Sequence, residues 1–296
     1  MLTPCRLEEL VDPKKPAFAM ASRDFPACTE GTSIKSLLKM MIEARSKHAA
    51  IVGSDGKFKG MVTDMDVLGY LGGDATYDGN AMPRGKCGRT ARKAGSIALS
   101  PVRKITDNDV NTITTKTSIK EALEAFKKSG QGALPIVDNS GKIRGMLSKR
   151  NLIEAFYLKA PGGPVSKGKS KVMIKDVMVK PMIVKKNFPI GETARMMCMG
   201  KFRRFPVTEN RIMTGIITVH DILYFLNESG DLEVLGKESG SIAKIANKNV
   251  VYAEPEMPIS EAIKKMLAKK IGALPVVEDD ELKGIVTFTD IVDTIR

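Results

Sequence analysis

The sequence is poor in the residues on which several classes of protein depend. It has no tryptophan, only two histidines, and four cysteines without a Cys-x-x-Cys pair, so we do not expect a structural zinc site. No run of residues approaches the roughly 18 uninterrupted apolar positions that a membrane-spanning helix needs. The first ten residues include Glu8 and Glu9 and lack the basic and then apolar pattern of a secretion signal. We therefore expect a cytoplasmic protein with reduced thiols, no bound metal and no membrane partner.

The composition is that of a folded protein with an excess of basic residues. Apolar residues make up 43% and charged residues 27% of the 296 positions, which excludes a disordered or fibrous chain. At about 150 residues per domain, this length predicts two domains. The formal net charge of +13 indicates an anionic partner, but nucleic acid, phosphorylated small molecules and acidic proteins all satisfy that condition.

One short pattern recurs four times along the chain. A glycine is followed by two apolar residues, a hydroxyl residue, two variable positions, and then an aspartate or asparagine. The four copies read Gly60-Met-Val-Thr63-Asp-Met-Asp66, Gly145-Met-Leu-Ser148-Lys-Arg-Asn151, Gly215-Ile-Ile-Thr218-Val-His-Asp221 and Gly284-Ile-Val-Thr287-Phe-Thr-Asp290. The period is about 70 residues, with about 15 more between the first two copies, which indicates an internal repeat.

Each copy is preceded by the same series of predicted elements. Apolar residues at helical spacing, such as Ile34, Leu38 and Met41, predict a helix, although in the second copy this stripe ends in Lys127. A β-like run precedes the helix, for example residues 250–252. A short strand follows the helix, and the proline that it contains in three copies predicts a strand that starts at, or lies on, a sheet edge. A second helix follows the signature, so each repeat reads β-α-β-β-α.

A unit of about 55 residues buries too little apolar surface to be stable alone, so we expect the four units to pack in pairs. The repeated signature resembles that of the cystathionine-β-synthase (CBS) domain. Four copies in a row are similar to the gamma regulatory subunit of AMP-activated protein kinase and its stand-alone prokaryotic relatives. The resemblance implies an α+β fold in which four β-α-β-β-α repeats pack as two pseudo-symmetric tandem pairs.

The predicted repeats leave an N-terminal extension, one insertion and two linkers. The boundaries are 1–15 for the extension, 16–73 for repeat 1, 74–102 for the insertion, 103–158 for repeat 2, 159–173 for the first linker, 174–227 for repeat 3, 228–240 for the second linker and 241–296 for repeat 4. The insertion is basic and rich in glycine, and the first linker is rich in lysine. Solvated loops explain both segments most simply.

The hydroxyl and the acid of each signature have the chemistry of a nucleotide site. A carboxylate accepts hydrogen bonds from ribose hydroxyls, and a hydroxyl at the start of a helix donates to phosphate. The candidate residues are Thr63, Asp66, Ser148, Asn151, Thr218, Asp221, Thr287 and Asp290. The resemblance implies that the acid binds ribose, that the hydroxyl binds phosphate, and that adenine lies beside the strands. Thr-x-x-Asp is also a helix capping box that needs no ligand, and repeat 2, with an uncharged amide, is the expected non-binder.

Basic residues precede the short strand in alternate repeats. Repeat 3 has Arg203 and Arg204, and repeat 1 has Lys47 and His48 at the matching positions. Repeats 2 and 4 have a glycine and an alanine there. The resemblance implies that the basic side chains reach phosphate groups of a nucleotide held by the partner repeat. A solvent-exposed cationic strand end is the alternative interpretation.

Together these patterns predict a regulatory protein and not an enzyme. We find no serine–histidine–aspartate arrangement, Walker glycine loop or metal cluster in the sequence, so no catalytic residue is expected. The expected ligands are AMP, ADP or ATP, and the expected partner is a regulated protein or a second copy of the chain. One alternative is a nucleic-acid-binding protein that uses the basic insertion, which a steep salt dependence of binding would reveal. A less favoured alternative is an S-adenosylmethionine site, against which the pair Arg203–Arg204 argues.

Overall fold

The computed structural model of the chain describes residues 7–73, 98–159, 172–230, 235 and 240–295. Most of the predicted insertion, most of the first linker and parts of the N-terminal extension and the second linker lie outside the described residues. None of the helices in the described ranges is long and apolar enough to span a membrane.

Each repeat contains two helices and up to three strands in a constant order. The helices of the described ranges are α1 (Leu7–Leu10), α2 (Ile34–Glu43), α3 (Asp64–Leu68), α4 (Ile119–Ser129), α5 (Lys149–Glu154), α6 (Ile190–Gly200), α7 (Val219–Ser229), α8 (Ile259–Ala268) and α9 (Phe288–Asp293). The strands there are β1 (Ala27–Thr29), β2 (His48–Val52), β3 (Phe58–Thr63), β4 (Ile113–Thr114), β5 (Ala133–Val137), β6 (Ile143–Ser148), β7 (Val184–Lys185), β8 (Arg204–Glu209), β9 (Ile212–Thr218), β10 (Ala273–Glu278) and β11 (Glu281–Thr287). The order β-α-β-β-α is confirmed in repeats 1 to 3. In repeat 4, residues 250–252 form no strand, and the first strand is reduced to one bridge between Ala253 and Val276.

The sheets pair repeat 1 with repeat 2 and repeat 3 with repeat 4. Strand order is β1-β2-β3 in repeat 1 and β4-β5-β6 in repeat 2, while repeats 3 and 4 share the sheet β10-β11-β9-β8-β7. A bridge between Lys57 and Lys142 joins the first two sheets, and Ile212 pairs with Glu281 at the equivalent place in the second pair. The expected two tandem pairs, here called module 1 (repeats 1 and 2) and module 2 (repeats 3 and 4), are therefore confirmed.

The proline of the short strand lies in an edge strand in repeat 4, where β10 ends the sheet, but not in repeats 2 and 3, for which the prediction of a sheet edge is wrong. In repeat 2, Pro135 lies in β5, between β4 and β6. The parallel neighbour β4 begins only at Ile113, opposite Ile136. No carbonyl of β4 therefore lies opposite Pro135, and the N–H that proline lacks is not needed for pairing with β4. In repeat 1, which has Ala50 in place of proline, the Ala50 N–H donates to Pro26 O at 2.9 Å and β1 begins opposite Ala50 itself.

Helices join the two modules to each other. One buried cluster combines apolar residues of repeats 1 and 3, such as Leu37 and Phe205, and another combines repeats 2 and 4, such as Phe126 and Ile291. Full burial of each such side chain is worth about 1.5–3 kcal/mol. Lys127, which interrupts the apolar stripe of α4, donates its Nζ to the carbonyl of Ile295 and so also connects repeats 2 and 4. The four repeats therefore form a closed ring in the order 1, 2, 4, 3.

Candidate functional site

Strand register places each candidate pair beside a signature hydroxyl. In repeat 1, His48 of β2 lies opposite Thr63 of β3, and in repeat 3, Arg204 of β8 lies opposite Thr218 of β9. The same register sets Ala133 opposite Ser148 and Ala273 opposite Thr287. The end of every hairpin that lies opposite its turn therefore carries the basic or small pair together with the start of the second helix.

All four signatures form helix capping boxes. The Thr63 Oγ1 accepts from the Asp66 backbone N–H at 3.3 Å and donates to Asp66 Oδ2 at 2.8 Å, and that oxygen also accepts the Thr63 N–H at 2.7 Å. The same box closes in the other three repeats, as Ser148–Asn151, Thr218–Asp221 and Thr287–Asp290. In the three aspartates, the second carboxylate oxygen makes no hydrogen bond to any described residue, so capping leaves one acceptor of each acid unused.

Asn151 presents different chemistry from the three aspartates. Its Oδ1 accepts the Ser148 N–H at 2.9 Å and the Ser148 Oγ–H at 2.6 Å. The group left over is an amide NH₂, which donates hydrogen bonds and accepts none. Repeat 2 therefore lacks the free acceptor that repeats 1, 3 and 4 offer to a ribose hydroxyl.

Burial changes the acidity of two of these aspartates. Asp66 is 9% exposed, and its burial raises the pKa of the carboxyl to about 6, against the opposing hydrogen bonds from Thr63. Burial also raises the pKa of Asp221, again opposed by the hydrogen bonds from its capping threonine. A ligand that donated further hydrogen bonds to these carboxylates would stabilise their ionised form.

Basic side chains from both modules meet where the four repeats come together. Lys47 of repeat 1 and Arg204 of repeat 3 both approach Gly272 of repeat 4, because a Cβ on that glycine would lie 3.2 Å from Lys47 Nζ and 3.6 Å from Arg204 Nη2. Arg203 belongs to the same group, since its charge acts on both Lys47 and Arg204. We call Lys47, Arg203 and Arg204 the central cation cluster. The small residue at position 272 gives the cluster room.

The charges of the cluster repel one another. Burial first, and then the positive charges of Arg204, Arg203 and Arg150, lower the pKa of Lys47 to about 7, against the attraction of Asp64. Burial and the charge of Arg203 lower the pKa of Arg204 to about 10. Although neighbouring residues crowd its amine, the Lys47 side chain is exposed to solvent, so a dissolved ligand can reach it.

His48 has a different environment from its neighbour Lys47. Burial, together with the charge of Arg203, lowers the pKa of His48 to about 3, so the ring is neutral at physiological pH. Its Nε2 is buried and has no hydrogen-bond partner among the described residues. A Cβ on Gly132 would lie 2.9 Å from that atom. His48 therefore faces repeat 2 as a neutral group, and Lys47 faces repeat 4 as a base.

The predicted residues of repeats 3 and 4 lie in unlike surroundings. Thr287, the capping partner of Asp290, lies opposite Ala273, the neighbour of the Gly272 that Lys47 and Arg204 approach, and the charge of Asp290 acts on Arg204 and on Lys149 of repeat 2. For Asp221, His220 is the one other titratable side chain among the causes of the pKa shift. The structure thus brings together the charges of Lys47, Arg203, Arg204 and Asp290, whereas Asp221, although its capping Thr218 lies opposite Arg204, has no charge of the cluster among the causes of its pKa shift.

Two buried charged residues at this site are absent from the sequence-based candidates. Asp64 is 6% exposed and pairs with Arg203, and Lys149 is 8% exposed, with a pKa lowered by burial and raised again by Asp293 and Asp290. Each directly follows a signature hydroxyl, where repeats 3 and 4 have an apolar residue. The sequence signal that could have identified these two residues is a charge at a position that is apolar in repeats 3 and 4.

Four hairpins with this shared signature, closed into a ring of two modules, define a protein whose described residues belong mainly to one kind of repeat. The family model of the CBS domain matches residues 18–73, 102–158, 174–228 and 242–296, which together exceed half of the chain. The chain belongs to the CBS-domain family.

Two archaeal proteins are similar over most of their length. The uncharacterized protein MJ1225 of Methanocaldococcus jannaschii is 28% identical over 272 residues, which are 88% of this chain and 91% of that protein. Its crystal structure, described as that of a proposed archaeal homologue of γ-AMPK, has a TM-score of 0.79 at 23% identity and covers 94% of this chain and 99% of that one. An uncharacterized 33.4 kDa protein of Thermofilum pendens is 26% identical over 267 residues, covering 88% of this chain and 84% of that protein.

Similarity to a protein with an enzyme name is confined to part of each chain. A homoserine O-acetyltransferase of Methanohalobium evestigatum is 32% identical over 125 residues, which are 41% of this chain and 24% of that protein.

Within the described residues, no group of three histidine, cysteine, aspartate or glutamate side chains is placed to hold a metal ion.

Proposed function

We propose that this protein is a regulatory protein that binds AMP, ADP or ATP between its repeats and signals their occupancy to a partner. In this role it would sense the adenylate pool of the cytoplasm and would have no catalytic residue. The observation that carries the proposal is the position of the central cation cluster (Lys47, Arg203 and Arg204) beside the Thr287–Asp290 box of repeat 4.

The cluster has more positive charge than its surroundings neutralise. Among the causes of the shifted pKa values of Lys47, His48 and Arg204, the acids are Asp64, which acts on all three, and Asp290, which acts on Arg204. Like charges held close together repel one another, and the anionic oxygens of a phosphate accept charge-assisted hydrogen bonds from lysine and arginine. A phosphorylated ligand therefore suits this site better than a neutral one.

The carboxylate of Asp290 supplies the other half of a nucleotide site. One of its oxygens closes the capping box at 2.7 Å from Thr287 Oγ1, and the other remains available as an acceptor. When a ribose hydroxyl of the nucleotide donates to that oxygen, the phosphate groups of the same nucleotide would extend towards Lys47 and Arg204. The hydroxyl of Thr287 already donates its one hydrogen to Asp290, so in this proposal it positions the acid and would donate to phosphate only by giving up that hydrogen bond.

The magnitude of binding follows from the number of contacts. Each charge-assisted hydrogen bond contributes about 1.5–3 kcal/mol. Two or three of them with buried adenine give about −8 kcal/mol, which corresponds to a micromolar dissociation constant. S-adenosylmethionine would bring a cationic sulfonium towards the same cluster and would be repelled. The γ-AMPK description of the MJ1225 crystal structure concerns that relative, and it supports the regulatory part of this proposal.

Calorimetric titration with AMP, ADP and ATP tests the proposal. Asp290→Asn should weaken binding at least several-fold, because it replaces the free carboxylate oxygen while the natural Ser148–Asn151 box shows that an asparagine still caps the helix. Arg204→Ala should weaken binding by at least as much. Asp221→Asn makes the same chemical change at an acid whose pKa the charges of the cluster do not shift and serves as the matched control. Unchanged affinity in both Asp290→Asn and Arg204→Ala would show that this site is not the one used.

A further inference from the structure

Asp64 of repeat 1 reaches across the boundary between the modules to Arg203 of repeat 3. It is the first residue of α3, and its carboxylate accepts a hydrogen bond from Arg203 Nη1. The side chain of Asp64 keeps 8% of its surface exposed and that of Arg203 keeps 28%. The pair is thus shielded from water on the aspartate side and open on the arginine side, where a ligand can approach.

The position of Asp64 does not require an acid for the fold. In repeats 1, 2 and 3, the backbone N–H of the residue after the hydroxyl donates to the carbonyl of the residue before the short strand: Asp64 to Lys47 at 3.0 Å, Lys149 to Gly132 at 3.2 Å and Val219 to Arg203 at 3.0 Å. Aspartate, lysine and valine therefore serve the same backbone link equally well. What is particular to Asp64 is the group that its side chain faces.

That group is the central cation cluster. The charge of Asp64 acts on Lys47, His48 and Arg204 as well as pairing with Arg203. A carboxylate and a phosphate present similar oxygens to a guanidinium. In the ligand-free protein, Asp64 thus fills the place at Arg203 that an anionic ligand would take.

We propose that Asp64 is an internal competitor for the ligand's phosphate groups and so sets how strongly the protein discriminates between ligands of different charge. The inference rests on the proposed function, because it concerns the same cluster. A ligand must displace the carboxylate from Arg203 and then remain close to its negative charge. Adenosine, which has no phosphate, does neither. Asp64 therefore lowers affinity in proportion to ligand charge.

Calorimetry on Asp64→Asn, with wild type and Asp64→Glu as controls, tests this inference. The probes are adenosine, AMP, ATP and inorganic tripolyphosphate. Removing one unit charge near the cluster should tighten ATP and tripolyphosphate binding on the order of tenfold. AMP should gain less, adenosine should stay within about twofold of wild type, and Asp64→Glu should behave as wild type because it retains the charge.

The outcomes separate this inference from the proposed function. Tighter tripolyphosphate binding to Asp64→Asn without binding of any adenosine compound to either protein supports the inference and removes the proposed function. Equal gains for adenosine and ATP, unchanged or weaker ATP and tripolyphosphate binding, or no tripolyphosphate binding to either protein would overturn the inference. If Asp64→Asn does not fold, Arg203→Ala and Arg204→Ala decide the question. Arg203→Ala should then cost less tripolyphosphate affinity than Arg204→Ala, since Arg203 must first leave Asp64, and equal losses would contradict competition.

Discussion

Raising the pH from 7 to 9 should weaken ATP binding, because Lys47 loses its proton in the ligand-free protein over this range. Burial and the charges of Arg204, Arg203 and Arg150 lower the pKa of Lys47 from 10.5 to about 7, against the pull of Asp64. Phosphate beside the amine favours its charged form and raises the pKa again. Below pH 7 the lysine is protonated in both states. Above pH 7 binding must take up a proton, and affinity falls about tenfold per pH unit until the pKa of the bound state is reached.

The assay is calorimetric titration with ATP at pH 7, 8 and 9 in buffers of different ionisation enthalpy. At pH 8, the dependence of the observed enthalpy on the buffer should report uptake of about 0.9 proton per ATP. The phosphate groups of the ligand titrate near pH 6 and stay ionised throughout. His48, with a pKa of about 3, stays neutral, and Arg204, with a pKa of about 10, stays mostly charged.

Lys47→Arg is the matched variant, since an arginine there keeps its charge across the whole range. Its ATP affinity should hardly change between pH 7 and 9, and its proton uptake at pH 8 should be close to zero. Wild-type affinity that is equally flat, or proton uptake that persists in Lys47→Arg, would refute the assignment of the titration to Lys47.

Two further predictions concern the glycines that face the basic side chains and the neutral histidine. Gly272→Ala should weaken ATP binding several-fold in calorimetry with little loss of thermal stability, because its new Cβ would meet the flexible end of Lys47 at 3.2 Å and that of Arg204 at 3.6 Å. Gly132→Ala, whose Cβ would meet His48 at 2.9 Å, is the control and should leave the ATP affinity unchanged. His48 binds its proton in the unfolded chain near pH 6.5 but in the folded protein only near pH 3, so it contributes stability above pH 6.5 that is lost as the pH falls. The difference in urea unfolding free energy between wild type and His48→Gln should therefore shrink by about 1.4 kcal/mol per unit between pH 6 and 5, and a constant difference would exclude this role of His48.

The repeat architecture was predictable from the sequence because its signals are local. Ile34, Leu38 and Met41 recur at helical spacing and are all buried on one face of α2. Strand order is not a local property, and this is where the prediction of an edge strand failed for repeats 2 and 3. A proline excludes a hydrogen bond at one position only, and the parallel neighbour avoids the conflict by beginning one residue later, opposite Ile136 in repeat 2.

The same distinction divides the candidate site. The basic pair and the signature hydroxyl lie on adjacent strands of one hairpin, so sequence spacing places His48 opposite Thr63 without reference to the rest of the molecule. The pairing of Asp64 with Arg203 joins residues that are 139 positions apart in different modules. It depends on how the modules pack through their helices, which the repeat pattern does not encode. The residue roles themselves stay predictions until ligands are measured.

In the proposed function, the charge distribution would connect ligand binding to the contact between the modules. Lys47 belongs to module 1, and Arg203 and Arg204 belong to module 2, so their mutual repulsion acts across the contact between the modules. Asp64 offsets part of this repulsion through Arg203, and an anionic ligand in the proposed site would offset more of it. Since a ligand shifts a conformational balance only by its difference in affinity for the two arrangements, ligands with more phosphate groups would favour the closely packed ring more strongly. A partner that contacts both modules could read that shift without touching the nucleotide.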